Sequence, residues 1–226
     1  MLAAAALLLA ACGHPALMAL SLLPDGTFNT LLGNMQTVSE PNRVKLAELE
    51  KKGDWQGIAD FAQQNLARDP QNAEWWNVRG YAFLRLGQYP VAAESFQEAV
   101  RFEPSDMAGW HLLAETYRLM KQPERAVRTV EAALRVSQDD PTTWYLLGES
   151  YHDLGRWDRA AQAYQQTLNR DSRNAGAWYG LTVVNYRMGR KAETDAALAG
   201  LRRVDPQLAD KVNAQMASGA APATPR

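Results

Sequence analysis

The stretch Trp110-His111-Leu112-Leu113-Ala114-Glu115-Thr116-Tyr117 returns 34 positions later as Trp144-Tyr145-Leu146-Leu147-Gly148-Glu149-Ser150-Tyr151, and this recurrence decides the fold. Outward from it the same tryptophan stands 34 residues to either side, at Trp76 and Trp178. A fixed period of that length marks a two-helix unit stacked on copies of itself. Such a unit must hold its small and large residues in register. Four residues beyond each tryptophan come Gly80, Ala114, Gly148 and Thr182, and three further Phe83, Tyr117, Tyr151 and Asn185. The second helix repeats the logic, with Ala92, Ala126 and Ala160 as small contacts, then Phe96, Val130, Tyr164 and Leu198 as large ones, then Ala99 and Ala133. Gly87, Gly155 and Gly189 fall where the first helix must stop, because glycine takes the left-handed conformation that ends a helix without steric cost. Pro90 follows where the second helix opens, its fixed φ suited to a first turn.

On these columns of Trp, Gly, aromatic, Ala, aromatic and Ala, the chain resembles the tetratricopeptide repeat family. Four units fit, at residues 73–106, 107–140, 141–174 and 175–208. Residues 42–72 form a degenerate fifth, without the tryptophan but with Leu46, Leu49, Gly53, Ile58, Ala62 and Asp69-Pro70 in the right columns. Trp55 there aligns with Tyr89 and Trp157. The last unit departs at Thr182, Asn185, Thr194 and Leu201, as expected of a terminal repeat with a neighbour on one side only. Residues 206–216 read as a capping helix with Leu208 and Val212 inward, and residues 218–226 as a disordered tail. The resemblance implies an all-α fold, a right-handed α-solenoid of helix-turn-helix repeats whose concave groove holds a segment of another protein. Each repeated tryptophan is expected to bury against its neighbours, so that Trp→Ala costs about 3–5 kcal/mol.

The beginning of the chain carries a second pattern. Residues 2–11 are an unbroken Ala/Leu run ending at Cys12, the only cysteine. Ten apolar residues are too few to span a bilayer and have the length of a signal-peptide core. Leu9-Ala10-Ala11-Cys12 resembles the lipobox of bacterial lipoproteins. That resemblance implies cleavage after residue 11, acylation of Cys12, and, with Gly13 rather than Asp next, an outer-membrane address. Two or more acyl chains hold a protein stably at a membrane, at roughly 0.8 kcal/mol per buried methylene. The first basic residue is Arg43, so a charged n-region is expected upstream of Met1. The alternative is a cytoplasmic adaptor whose amino terminus is misread. Pro24-Asp25-Gly26 is a strong turn. After it Thr27 can cap a short helix with Phe28, Leu31, Leu32 and Met35 on one face, packed on the first repeat or kept for an interaction.

With 226 residues, a net charge of −1 and 22% charged residues, the chain has no basic face and therefore no nucleic-acid partner is expected. The resemblance places the groove on the first helix of each hairpin. The positions outside the packing columns are Asn77, Tyr81, Leu84 and Arg85; His111, Glu115, Arg118 and Leu119; Tyr145, Glu149, His152 and Asp153; and Tyr179, Val183, Tyr186 and Arg187. The tyrosines offer stacking area with a polar tip. Glu115, Glu149 and Asp153 form an acidic zone expected to meet a basic side chain of an extended peptide, with Arg85 and Arg187 flanking it. The paired Lys and Asn with which chaperone-binding members of the family clamp a terminal carboxylate are absent here. His111 with Glu115, and Glu149 with His152, have helical spacing that brings imidazole and carboxylate together, yet histidines in a polar groove are more often hydrogen-bonded than metal ligands. No metal, cofactor or catalytic residue is assigned, and the chain is expected to be no enzyme. The expected partner is a protein or peptide, met by an adaptor or assembly scaffold fixed to the membrane through its acyl anchor. Pilotin-like help to pilus or secretin assembly and an adaptor for peptidoglycan hydrolases both suit such a build.

Overall fold

The computed structural model describes residues 27–218. The expected signal peptide at residues 1–11, Cys12, the turn before residue 27 and the tail from residue 219 lie outside the described residues. Among the described residues the structure consists of twelve α-helices and no strand, falling into two compact units that divide between Glu103 and Pro104. No helix among them is long and apolar enough to cross a membrane.

The first unit contains α1 (Thr27–Asn34), α2 (Glu40–Lys51), α3 (Trp55–Leu66), α4 (Ala73–Arg85) and α5 (Tyr89–Phe102). Leu46, Ile58, Ala62, Val78, Leu84, Ala92, Phe96 and Ala99 bury its interior. The small column works as its spacing predicts: a Cβ on Gly80 would stand 2.6 Å from the Phe96 ring. Phe28, Leu31, Leu32 and Met35 of the short N-terminal segment are all buried. Phe28 stacks on Tyr81 of α4 at 5.2 Å between centroids and meets Trp55 of α3 edge-on at 5.6 Å. The turn after α1 is tied down by Glu74, whose carboxylate accepts the backbone N–H groups of Gln36, Thr37 and Val38 and the Thr37 hydroxyl.

The second unit contains α6 (Met107–Leu119), α7 (Pro123–Val136), α8 (Pro141–Asp153), α9 (Trp157–Arg170), α10 (Ala175–Arg187), α11 (Lys191–Val204) and α12 (Pro206–Ala217). Its main core gathers Ala114, Val130, Leu147, Tyr151, Ala160, Tyr164, Leu181 and Ala197. The Tyr164 ring is gripped from two sides, since a Cβ on either Gly148 or Gly180 would approach it to 2.5 Å. A second cluster forms under α12, where Ala209 and Val212 are the buried residues and Leu208, expected inward, packs only at the edge.

Three features recur at the 34-residue step. Each of α2, α4, α8 and α10 ends in a left-handed glycine, at Gly53, Gly87, Gly155 and Gly189, and Lys121 takes the same conformation after α6 with φ 58°. In each of these turns the next residue's N–H reaches back to a carbonyl of the large column, as Gln88 to Phe83, Gln122 to Tyr117 and Arg156 to Tyr151. Asn72, Asp106, Asp140 and Asn174 cap the helices that follow, each accepting a first-turn N–H.

The repeated tryptophans are the main correction to the expected packing. They are half-buried rather than core residues. Each indole N–H donates to the carbonyl six residues earlier: Trp76 to Pro70, Trp110 to Pro104, Trp144 to Gln138 and Trp178 to Ser172, at 2.8–2.9 Å. The column is large and amphipathic because each ring lies by the turn between successive repeats while its N–H satisfies a backbone acceptor that the turn leaves open.

Candidate groove of the second unit

The expected groove positions do not share one fate. In the first unit Asn77 and Tyr81 are each 1% exposed and Leu84 is fully buried. Tyr81 is withdrawn from the surface beneath Phe28 of α1. Arg85 stacks over Trp55 at 4.3 Å. In the second unit Tyr179 and Val183 belong to the cluster under α12 and are buried, while the Tyr186 hydroxyl donates to the Met216 carbonyl at 3.3 Å. Both ends of the expected stripe are thus covered by helices that the 34-residue period does not describe.

What stays partly open is the middle, on α6 and α8. Arg118 spends all three guanidinium nitrogens on carboxylates: Nε on Asp153 at 2.8 Å, Nη1 on Glu115 at 2.9 Å and Nη2 on Glu149 at 3.0 Å. The acidic zone is therefore not an empty receptor for a cation, because a side chain of the same groove already neutralises part of it. Arg118 was legible as a groove residue, and its role as counter-charge was not. Burial acts against its cation, but the three carboxylates outweigh burial and hold the guanidinium above its ordinary pKa. Burial likewise raises Glu115, against the pull of Arg118 and helped by Glu149 and Asp153. Three carboxylates facing one guanidinium leave an excess of negative charge.

That excess reaches the surrounding phenols. Tyr164 donates its hydroxyl to Glu149 Oε1 at 2.7 Å. Burial first, and Glu149 second, push the phenols of Tyr145 and Tyr164 far up and that of Tyr179 to about 12. All three remain neutral donors at any physiological pH. Tyr145, Glu149, His152 and Asp153 form one stripe of α8, as their spacing requires.

The two histidines part company. His111 Nε2 lies 2.9 Å from Asp140 Oδ2 and 2.8 Å from the Thr143 hydroxyl, so it joins the cap of α8. His152 is 9% exposed, packs edge-on to Trp157 at 5.0 Å, and has no hydrogen-bond partner for either ring nitrogen. The His111 ring is thus engaged by the start of α8. Arg187, exposed, lies over the same Trp157 at 5.3 Å. A separate cleft of about 540 Å³ is lined by Trp144, Leu147 and Tyr151 of α8 and by Arg159 and Gln162 of α9, residues that the groove positions do not include.

Tetratricopeptide repeat profiles match residues 56–106, 112–167 and 148–189, together more than half of the sequence. The chain belongs to the tetratricopeptide repeat family. Solved structures of similar fold include YrrB, described as a tetratricopeptide repeat protein with an unusual peptide-binding site, at 18% identity and a TM-score of 0.62, over 75% of this chain and 88% of that one. MamA from Desulfovibrio magneticus is 19% identical with a TM-score of 0.60, over 72% of this chain and 90% of that one. A thermophilic tetratricopeptide repeat protein from Thermus thermophilus is 22% identical with a TM-score of 0.58, over 76% and 94%. No curated protein sequence matches the chain. Tetratricopeptide repeat proteins bind protein or peptide partners, and a scaffold or interaction role follows for this member.

Proposed function

We propose that this protein is a membrane-anchored periplasmic adaptor or assembly scaffold that binds a segment of an envelope protein in the groove of its second unit. The observation that carries the groove is the contrast within the chain. Phe28 of α1 covers Tyr81 on the groove face of α4, whereas among the described residues Asp153 of α8 is exposed and Tyr145 of α8 and Arg118 of α6 are half-buried. YrrB, similar in fold, lends support through its peptide-binding site. A groove of this extent makes a modest interface, for which micromolar affinity, about 8 kcal/mol, is the natural scale. The anchor rests on Leu9-Ala10-Ala11-Cys12. It fixes location and raises the local concentration of the groove near membrane-bound partners.

Two measurements in a Gram-negative host test the two halves separately. Intact mass and membrane fractionation should give a triacylated species beginning at Cys12 in the outer membrane, lost in Cys12→Ser; an unmodified soluble chain would remove the anchor and leave the groove untouched. A photoreactive residue at Asp153 or Arg187 should crosslink an envelope protein, while one at Gln162 should not. Crosslinks from Gln162 alone would move the binding surface off the groove.

A further inference from the structure

The unsatisfied ring of His152 sits beside the acidic cluster. Its Nδ1 is 4.0 Å from Asp153 Oδ1, beyond hydrogen-bond reach, and neither nitrogen finds another partner although the residue is nine-tenths buried. Folding around an unpaired buried polar group is costly, so such a group in a native fold calls for a reason. Asp153 is the other half of the reason. Its Oδ2 is committed to Arg118, and Oδ1 is not among the atoms bonded to that guanidinium. It is the last residue of α8, where the partial negative charge of the helix end adds to its own. Glu149, one turn earlier, contributes the remaining excess charge.

Resting on the groove reading above, we propose that this corner of the second unit is a subsite for one basic side chain of the partner segment, arginine before lysine. The guanidinium donates one N–H to Asp153 Oδ1 and a second to a ring nitrogen of His152, whose imidazole tilts to accept it. Arginine suits the site because its planar fork reaches two acceptors at once, whereas an ammonium acts as a point charge. Trp157 packs edge-on to the imidazole and supplies an apolar wall, and Arg187, which also lies over Trp157, selects against a second cation nearby. The site so filled gains the partner that His152 lacks and offsets the negative excess left by Arg118.

The test is a random peptide display selection on the 226-residue protein, followed by fluorescence anisotropy of the enriched peptides. Hydrogen exchange of α8 and α10 with and without peptide shows whether they occupy the groove. Groove-bound peptides should share an arginine or lysine at one register, and replacing it by citrulline should weaken binding about tenfold or more. Asp153→Asn should weaken the basic peptide by a similar factor and leave the citrulline peptide unchanged, since both changes remove the same contact. Asp153 is exposed, so the variant should fold, which a thermal melt checks. Peptides that protect α8 and α10 yet carry no shared basic residue, or ignore Asp153→Asn, would overturn the subsite while the groove stands. Peptides that protect neither helix would overturn both.

Discussion

Asp140 does two things at the start of α8: it accepts the N–H of Thr143 at 2.8 Å as a helix cap, and it holds His111 at 2.9 Å. Burial alone would raise its carboxyl, but the hydrogen bonds from His111 and Thr143 reverse this and leave it well below the usual carboxylate range. A carboxyl depressed by folding stabilises the fold fully above its unfolded value, about pH 4, and that stabilisation is lost as the pH falls from there towards the folded value. Asp140→Ala should therefore cost about 1–2 kcal/mol in denaturant melts at pH 7 and progressively less below about pH 4, where wild type and variant converge. Lys121 offers the opposite case. It alone fills a turn position with a side chain where Gly53, Gly87, Gly155 and Gly189 stand in the other repeats, at φ 58°. Left-handed backbone costs an L-residue about 1–2 kcal/mol, part of which glycine returns as unfolded-state entropy. Lys121→Gly should raise the stability by about 0.5–1 kcal/mol, read as a shift in denaturant midpoint at constant m. An unchanged or lower midpoint would show that the turn carries no strain.

Among the elements, α1 differs most from the repeats around it. It is short, lies outside the repeats, buries Phe28, Leu31 and Leu32, and is followed by a turn that Glu74 ties down. Phe28, 1% exposed between Trp55 and Tyr81, is its anchor. Phe28→Ala should destabilise the first unit by about 3–5 kcal/mol and free α1. Hydrogen exchange should then show faster exchange in residues 27–38 and newly accessible α4, with α8 and α9 unaffected. The repeated tryptophans set the reverse lesson. Spacing alone marked them as large packing residues, and they are large, but each works as a clasp over a turn with its N–H on a carbonyl. Trp144→Phe keeps most of the ring area and loses the Gln138 bond, so it should cost about 1 kcal/mol rather than the roughly 3–5 expected of a core tryptophan.

Across the molecule, a stacked array draws its stability from neighbour contacts, so its inner helices should open last. In the second unit α8 and α9 have helices packed on both sides, and α12 has only α11 and α10 to rest on. Native-state hydrogen exchange should be slowest in α8 and α9 and fastest in α12; uniform protection would mean the unit opens as one block. The period of 34 residues determined from sequence alone that the chain is helical, where its hairpins turn, and which small residues meet which large ones. Those properties are local: a glycine ends a helix, and Gly80 or Gly148 admits Phe96 or Tyr164, wherever the stack stands. The groove was legible only as a set of positions. Whether a position is open depends on what lies over it, and α1 and α12, outside the period, cover Tyr81 and Tyr179. Whether a charge is free depends on the neighbouring repeat, since Arg118 is 31 residues from Glu149 and 35 from Asp153 along the sequence. Spacing fixes which way a side chain leaves its own helix; only the tertiary structure decides what it meets there, because cover and pairing are made by residues distant along the chain.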